Sequence, residues 1–122
     1  MLYEIDVTKD PPDQIIKNFW ETNQNIDAQV REFAEFLFRG VIDNLSQINL
    51  KISSASQNWS IRRMAIVDRN ILRLASFELL FCSDIPPKVS INEAVELAKK
   101  FSGREAARFV NGILDKIKEY KI

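Results

Sequence analysis

A chain of 122 residues, 46% hydrophobic and 28% charged, suits one domain that hides about two thirds of its surface without disulfide staples. It holds no histidine and one cysteine, Cys82, which excludes Ser-His-Asp and Cys-His catalysis, zinc sites of the usual ligand sets and an internal disulfide; a reducing compartment is expected. The formal charge is zero, but residues 1–60 carry five basic against nine acidic residues and residues 61–122 carry twelve against eight. That is either an uneven solvated surface or one face for an anionic partner and another for a basic one.

The apolar residues recur at helical spacing, so an all-α fold of six or seven helices is expected, in one domain over 1–122. Met1-Leu2-Tyr3-Glu4-Ile5 is apolar at that spacing but ends at Lys9-Asp10-Pro11. About two turns is marginal for a helix, and the fragment reads as the C-terminal end of a longer one. Pro11 and Pro12 precede the face Ile15, Ile16, Phe19 and Trp20, since proline is tolerated in a first turn. Asp27 is the expected N-cap of the next helix, whose stripe runs from Val30 to Leu45. A weaker pattern continues through Ile48, Ile52 and Ala55.

The segment opening at Trp59 and running to Leu80 is the most apolar and reads as the central buried helix, stopped by Ile85-Pro86-Pro87. Ser90-Ile91-Asn92-Glu93 has the spacing of a capping box, with Ser90 as N-cap of a helix reaching Phe101. Ser102-Gly103 breaks it, and the last helix carries Ala106, Phe109, Val110, Ile113, Leu114 and Ile117. No apolar run approaches the ~20 residues of a membrane span, and no signal-peptide pattern occurs.

Nothing in the chain reads as a reaction centre. Cys82 has no histidine to activate it, Glu93 and Glu96 read as surface ion-pairing partners of Lys99 and Lys100, and three scattered glycines cannot build a phosphate loop. No metal or cofactor is expected. Arg69 and Arg73, four residues apart in an apolar helix, need counter-charges, for which Asp68 and Glu78 are the local candidates. Lys99, Lys100, Arg104 and Arg108 cluster at a helix N-terminus, where backbone N–H groups favour anions; a solvated loop flanked by lysines is the plainer reading. Gly112 inside a helical pattern implies close packing against another helix or a ligand.

Three motifs in order resemble one family. Val67-Asp68-Arg69-Asn70-Ile71-Leu72-Arg73-Leu74-Ala75 with Phe77-Glu78-Leu79-Leu80, preceded by Trp59, is similar to the central helix of the NusB family. Ile85 to Lys99 resembles its next helix, and Phe109-Val110-Asn111-Gly112-Ile113-Leu114-Asp115 its last. The resemblance implies two small helical bundles packed together, and a cytoplasmic transcription antitermination factor that is not an enzyme. It would pair with NusE, a small-subunit ribosomal protein, bind boxA-containing RNA and act on the transcription elongation complex. By position, Arg73, Phe77 and Glu78 match the region that meets the ribosomal protein. Tyr3, Lys99, Lys100, Arg104, Arg108, Asn111 and Asp115 match the region near RNA, where an aromatic ring can stack on bases.

One departure stands out. The family's first helix begins with an arginine-rich stretch, and this chain starts beyond it, at Met1-Leu2-Tyr3. Either Met1 is an internal methionine of a longer chain, the favoured reading, or a natively short protein binds its protein partner better than RNA. The alternatives are a NusB-like module that uses protein contacts alone, with a possible homodimer, and the RNA-targeting domain of a ribosomal RNA methyltransferase.

Overall fold

Prolines and polar caps set where the helices begin. In this computed structural model, which describes residues 1–57 and 60–120, α1 spans Leu2–Thr8 and α2 spans Pro12–Thr22 with proline at its first position. Helix α3, Ala28–Asp43, is capped as expected: the Gln29 N–H donates to the Asp27 carboxylate at 2.8 Å. Asn44 ends it by donating its side-chain amide to the Gly40 carbonyl at 2.8 Å, and α4, Leu45–Ala55, follows at once. Next come a 3-10 turn at Ile61–Arg63 and helices α5, Ile66–Phe81, α6, Pro87–Phe101, and α7, Arg104–Ile117. Between α6 and α7, Gly103 has φ 102°, a conformation open to glycine and costly for other residues. No strand occurs among the described residues.

Three expectations are corrected. The central helix starts at Ile66 rather than at position 59, because the 3-10 turn and an extended Met64 come first; Trp59 lies outside the described residues. The Ser90 capping box does not form. Pro87, with its φ already fixed, starts α6 four residues earlier than a Ser90 cap would, and Ser90 becomes a buried residue of its second turn. Gly112 packs against nothing, and a Cβ there would meet open space. The glycine that permits close approach is Gly40, where the Phe77 ring of α5 lies on the bare Cα of α3.

Burial organises these helices into two connected bundles. Ile15, Ile16, Trp20 and Phe38 form the core of α1–α3, with Leu2, Ile5 and Ile42 packed against it. The larger core joins Val41 of α3 to Ile48 and Ile52 of α4, Leu72 and Leu79 of α5, Ile91 and Ala98 of α6, and Val110, Leu114 and Ile117 of α7. Helix α5 touches α1, α3, α4, α6 and α7. Fully burying one such aliphatic side chain is worth about 1.5–3 kcal/mol. Polar ties lock the smaller bundle: the Trp20 indole N–H donates to Glu35 at 2.6 Å, and Arg39 pairs with Asp13 at 2.8 Å.

The two glycines therefore respond in opposite directions to the same change. Gly40→Ala should destabilise the protein by about 1–3 kcal/mol, since the new methyl group displaces the Phe77 ring. Gly112→Ala should stabilise it by up to about 1 kcal/mol through helix propensity alone. Urea unfolding of the pair checks both signs.

Candidate binding surfaces

Helix α5 carries the residues expected to meet a protein partner, and the structure separates them. Arg73 is buried and faces α1 and α4: its guanidinium donates to Asp6 at 3.1 Å, to Asn49 at 3.1 Å and to Asn70 at 3.0 Å. Asp6 is the counter-charge for Arg69 as well, at 3.2 Å, in place of the expected Asp68 and Glu78. Phe77 is buried against Gly40, its ring centroid 5.7 Å from Phe36 and 5.4 Å from Phe81, and those two rings are half exposed. Glu78 faces α6, beside Ser90 and Glu93.

Burial pushes the Glu78 carboxyl up; the Ser90 hydroxyl pulls it back, and the Glu93 charge adds to the rise. Glu78 stands at one end of a cleft between α5 and α6, with Ile71, Leu74 and Leu97 along it. The same three side chains line an adjoining apolar pocket of about 380 Å³, closed by Met1, Leu2 and Tyr3 of α1, by Phe38 of α3 and by Phe101. The cleft beside Glu78 is narrow, about 30 Å³, and shares Ile71, Leu74 and Leu97 with the larger pocket that reaches Tyr3. Groups of this kind accept an apolar segment with a cation at one end.

A second, basic groove of about 220 Å³ lies between α6 and α7. It brings together Lys99, Arg104, Arg108 and Asn111, with Val95, Glu96 and Ala107. Arg104, Arg108 and Asn111 share one exposed face of α7, and Asp115 continues that face one turn on, paired with Lys118 at 3.5 Å. Lys100 goes elsewhere. It borders a shallow depression with Asn92 and Glu93, and its ammonium sits 5.4 Å from the centroid of the Phe101 ring. Tyr3 and Phe101, both exposed for half or more of their surface, line the apolar pocket from α1 and from the end of α6. Among the described residues no cluster of His, Cys, Asp or Glu is placed to hold a metal ion, and no helix is long and apolar enough to cross a membrane.

Sequence reasoning missed Asp6, Asn49 and Asn70, whose side chains complete the arginine cluster, and the groove wall formed by Leu74, Leu97 and Phe101. The arginine pair four residues apart was the one signal that a third charge had to come from elsewhere.

These features define an all-helical scaffold with an apolar, acid-ended groove and a basic one. Comparison with known proteins makes the class specific: residues 1–119 match the NusB family, and the chain belongs to it. It is similar to the transcription antitermination protein NusB of Anaeromyxobacter dehalogenans (strain 2CP-1 / ATCC BAA-258), at 46% identity over 116 residues, 95% of this chain and 81% of that one. In fold it is similar to T. maritima NusB, with a TM-score of 0.90 and 39% identity over 98% of this chain and 84% of that one. It is similar too to a chain in the crystal structure of antitermination factors NusB and NusE in complex with dsRNA, with a TM-score of 0.88 and 29% identity over 98% of this chain and 88% of that one.

A carboxylate whose folded pKa is raised adds stability that is complete below its unfolded pKa and lost as pH rises through the folded value. Glu78→Gln should therefore leave the melting temperature nearly unchanged at pH 4 and raise it at pH 7. An equal difference at both pH values would show that the charge is not the cause.

Proposed function

We propose that this chain is a cytoplasmic transcription antitermination factor that works by binding alone, joining the ribosomal protein NusE to boxA-containing RNA in the transcription elongation complex. The observation that carries the reading is the pair of grooves of opposite character. One has the Glu78 and Glu93 carboxyls beside apolar side chains of α5 and α6. The other presents three basic side chains along one groove.

A basic ribosomal protein fits the first groove, because its apolar side chains would cover Leu74 and Leu97 while a cation reaches Glu78 and Glu93. RNA fits the second: Lys99, Arg104 and Arg108 would hold phosphates, and Asn111 offers an amide to a base or ribose. Tyr3 and Phe101, the latter under the Lys100 ammonium, would give unstacked bases exposed aromatic rings. Asp115 on the α7 face limits the positive field there, so it tempers RNA affinity. Of the partner-side residues, Glu78 makes contact; Arg73 and Phe77 act from below, Arg73 by holding α1 and Phe77 by setting the spacing of α3 and α5.

Two measurements test this. Glu78→Lys should weaken binding to NusE by about tenfold or more, with RNA binding by the free protein little changed; equal loss of both would reject the division of surfaces. Lys99→Gln with Arg104→Gln should flatten the salt dependence of RNA binding, by about 0.7 in log–log slope for each single-strand phosphate that the variant no longer neutralises. An unchanged slope would place the RNA elsewhere.

A further inference from the structure

We propose that Asp6 is a positioning residue, a latch whose carboxylate holds α1 on α5 and so keeps Tyr3 and the N-terminal wall of the apolar groove in place for the binding role proposed above. The inference rests on that reading for its functional consequence and on side-chain geometry for the latch itself.

Helix α1 packs Leu2 and Ile5 against the two cores, and its one charged tie to the rest of the fold among the described residues is Asp6. Leu2 and Ile5 are only partly buried, and Tyr3 and Val7 are half exposed. Asp6 is the exception, with a side chain 13% exposed. Its carboxylate accepts hydrogen bonds from Asn70 at 2.9 Å, from Arg69 at 3.2 Å and from Arg73 at 3.1 Å.

The receptor for that carboxylate is built without α1. Arg73 is anchored to Asn49 of α4 and to Asn70 of its own helix, so two guanidiniums and an amide converge on one point of the α4–α5 surface. Two cations four residues apart on a mostly buried helix repel each other, and Asp6 supplies the charge that makes the arrangement tolerable. Burial alone would raise the Asp6 carboxyl; the hydrogen bonds from Asn70 and Arg69 and the Arg73 charge outweigh it and hold the carboxyl below its ordinary value.

The latch is joined directly to the groove. Asn70, which donates to Asp6, also lines the apolar pocket, together with Met1, Leu2 and Tyr3. Asp6 and Tyr3 lie three residues apart on a helix of two turns. Releasing the carboxylate therefore frees one wall of the pocket while α3, α5 and α6 keep theirs.

The experiment combines Asp6→Asn, Asp6→Glu and Arg69→Gln with Tyr3→Ala. Amide hydrogen exchange in α1 should accelerate by about tenfold or more in Asp6→Asn while α7 keeps its protection. Unchanged exchange in α1 would overturn the latch whatever the binding data show. Tyr3→Ala should weaken boxA RNA binding several-fold in the otherwise native protein, and by less than about twofold in the Asp6→Asn background. Additive losses would overturn the positioning role, since a purely structural Asp6 lowers stability without making Tyr3 redundant. Asp6→Glu should regain part of the lost affinity. Should Asp6→Asn fail to fold, Arg69→Gln removes one of the latch bonds, and the same cycle is run on it. If Tyr3→Ala is silent in the native protein while α1 exchange responds to Asp6→Asn, the latch stands and the binding role given to Tyr3 fails.

Discussion

Half of the sixteen residues of α5 are buried, among them Arg73 and Glu78, and neighbouring helices pack on nearly every side of it. A helix so enclosed can keep a charged side chain only where another element brings a partner or where the charge stays costly. Arg73 shows the first outcome and Glu78 the second. The guanidinium gains Asp6, Asn49 and Asn70 from three helices, including its own. The carboxyl has the Ser90 hydroxyl beside it but also the Glu93 charge, and its pKa rises.

That contrast explains how one helix serves both the fold and the work. Arg73 spends its charge internally, fixing α1 and α4 around α5, and has little left to offer a partner. Glu78 has no cation beside it, only the Ser90 hydroxyl and the Glu93 charge, so burial disfavours its ionised form, and under the proposed function a basic partner would supply the missing charge. Phe77 sits between these roles: pressed on Gly40, it sets how closely α3 approaches α5, and it supports the exposed rings of Phe36 and Phe81.

Local features carried much of the architecture into view from sequence. The cap at Asp27, the prolines before α2 and the break at Ser102-Gly103 each involve residues close together in the chain, and they fall where the spacing puts them. The errors came where a second signal, near or far in the chain, overrode the local rule. Ser90 and Glu93 have capping-box spacing, yet Pro87 pre-sets a helical φ four residues sooner. Arg69 and Arg73 have acidic neighbours in sequence, yet their partner is 63 and 67 residues away. Gly112 looked like a packing glycine because any glycine inside a helix costs stability, while the crowded one, Gly40, gives no different local signal.

The basic groove follows from the same physics with the opposite result for legibility. Lys99, Arg104 and Arg108 stand on exposed faces of α6 and α7, where water satisfies them and no buried partner has to be found. Their grouping depends only on a tight turn between two helices and on helical periodicity, both of which are local. Lys100, one residue from Lys99, leaves the group because a single step around a helix turns a side chain by about 100°. A surface for a polyanion can thus be assembled from sequence-adjacent cations, whereas the partner groove needs side chains from four helices and a latch across the fold.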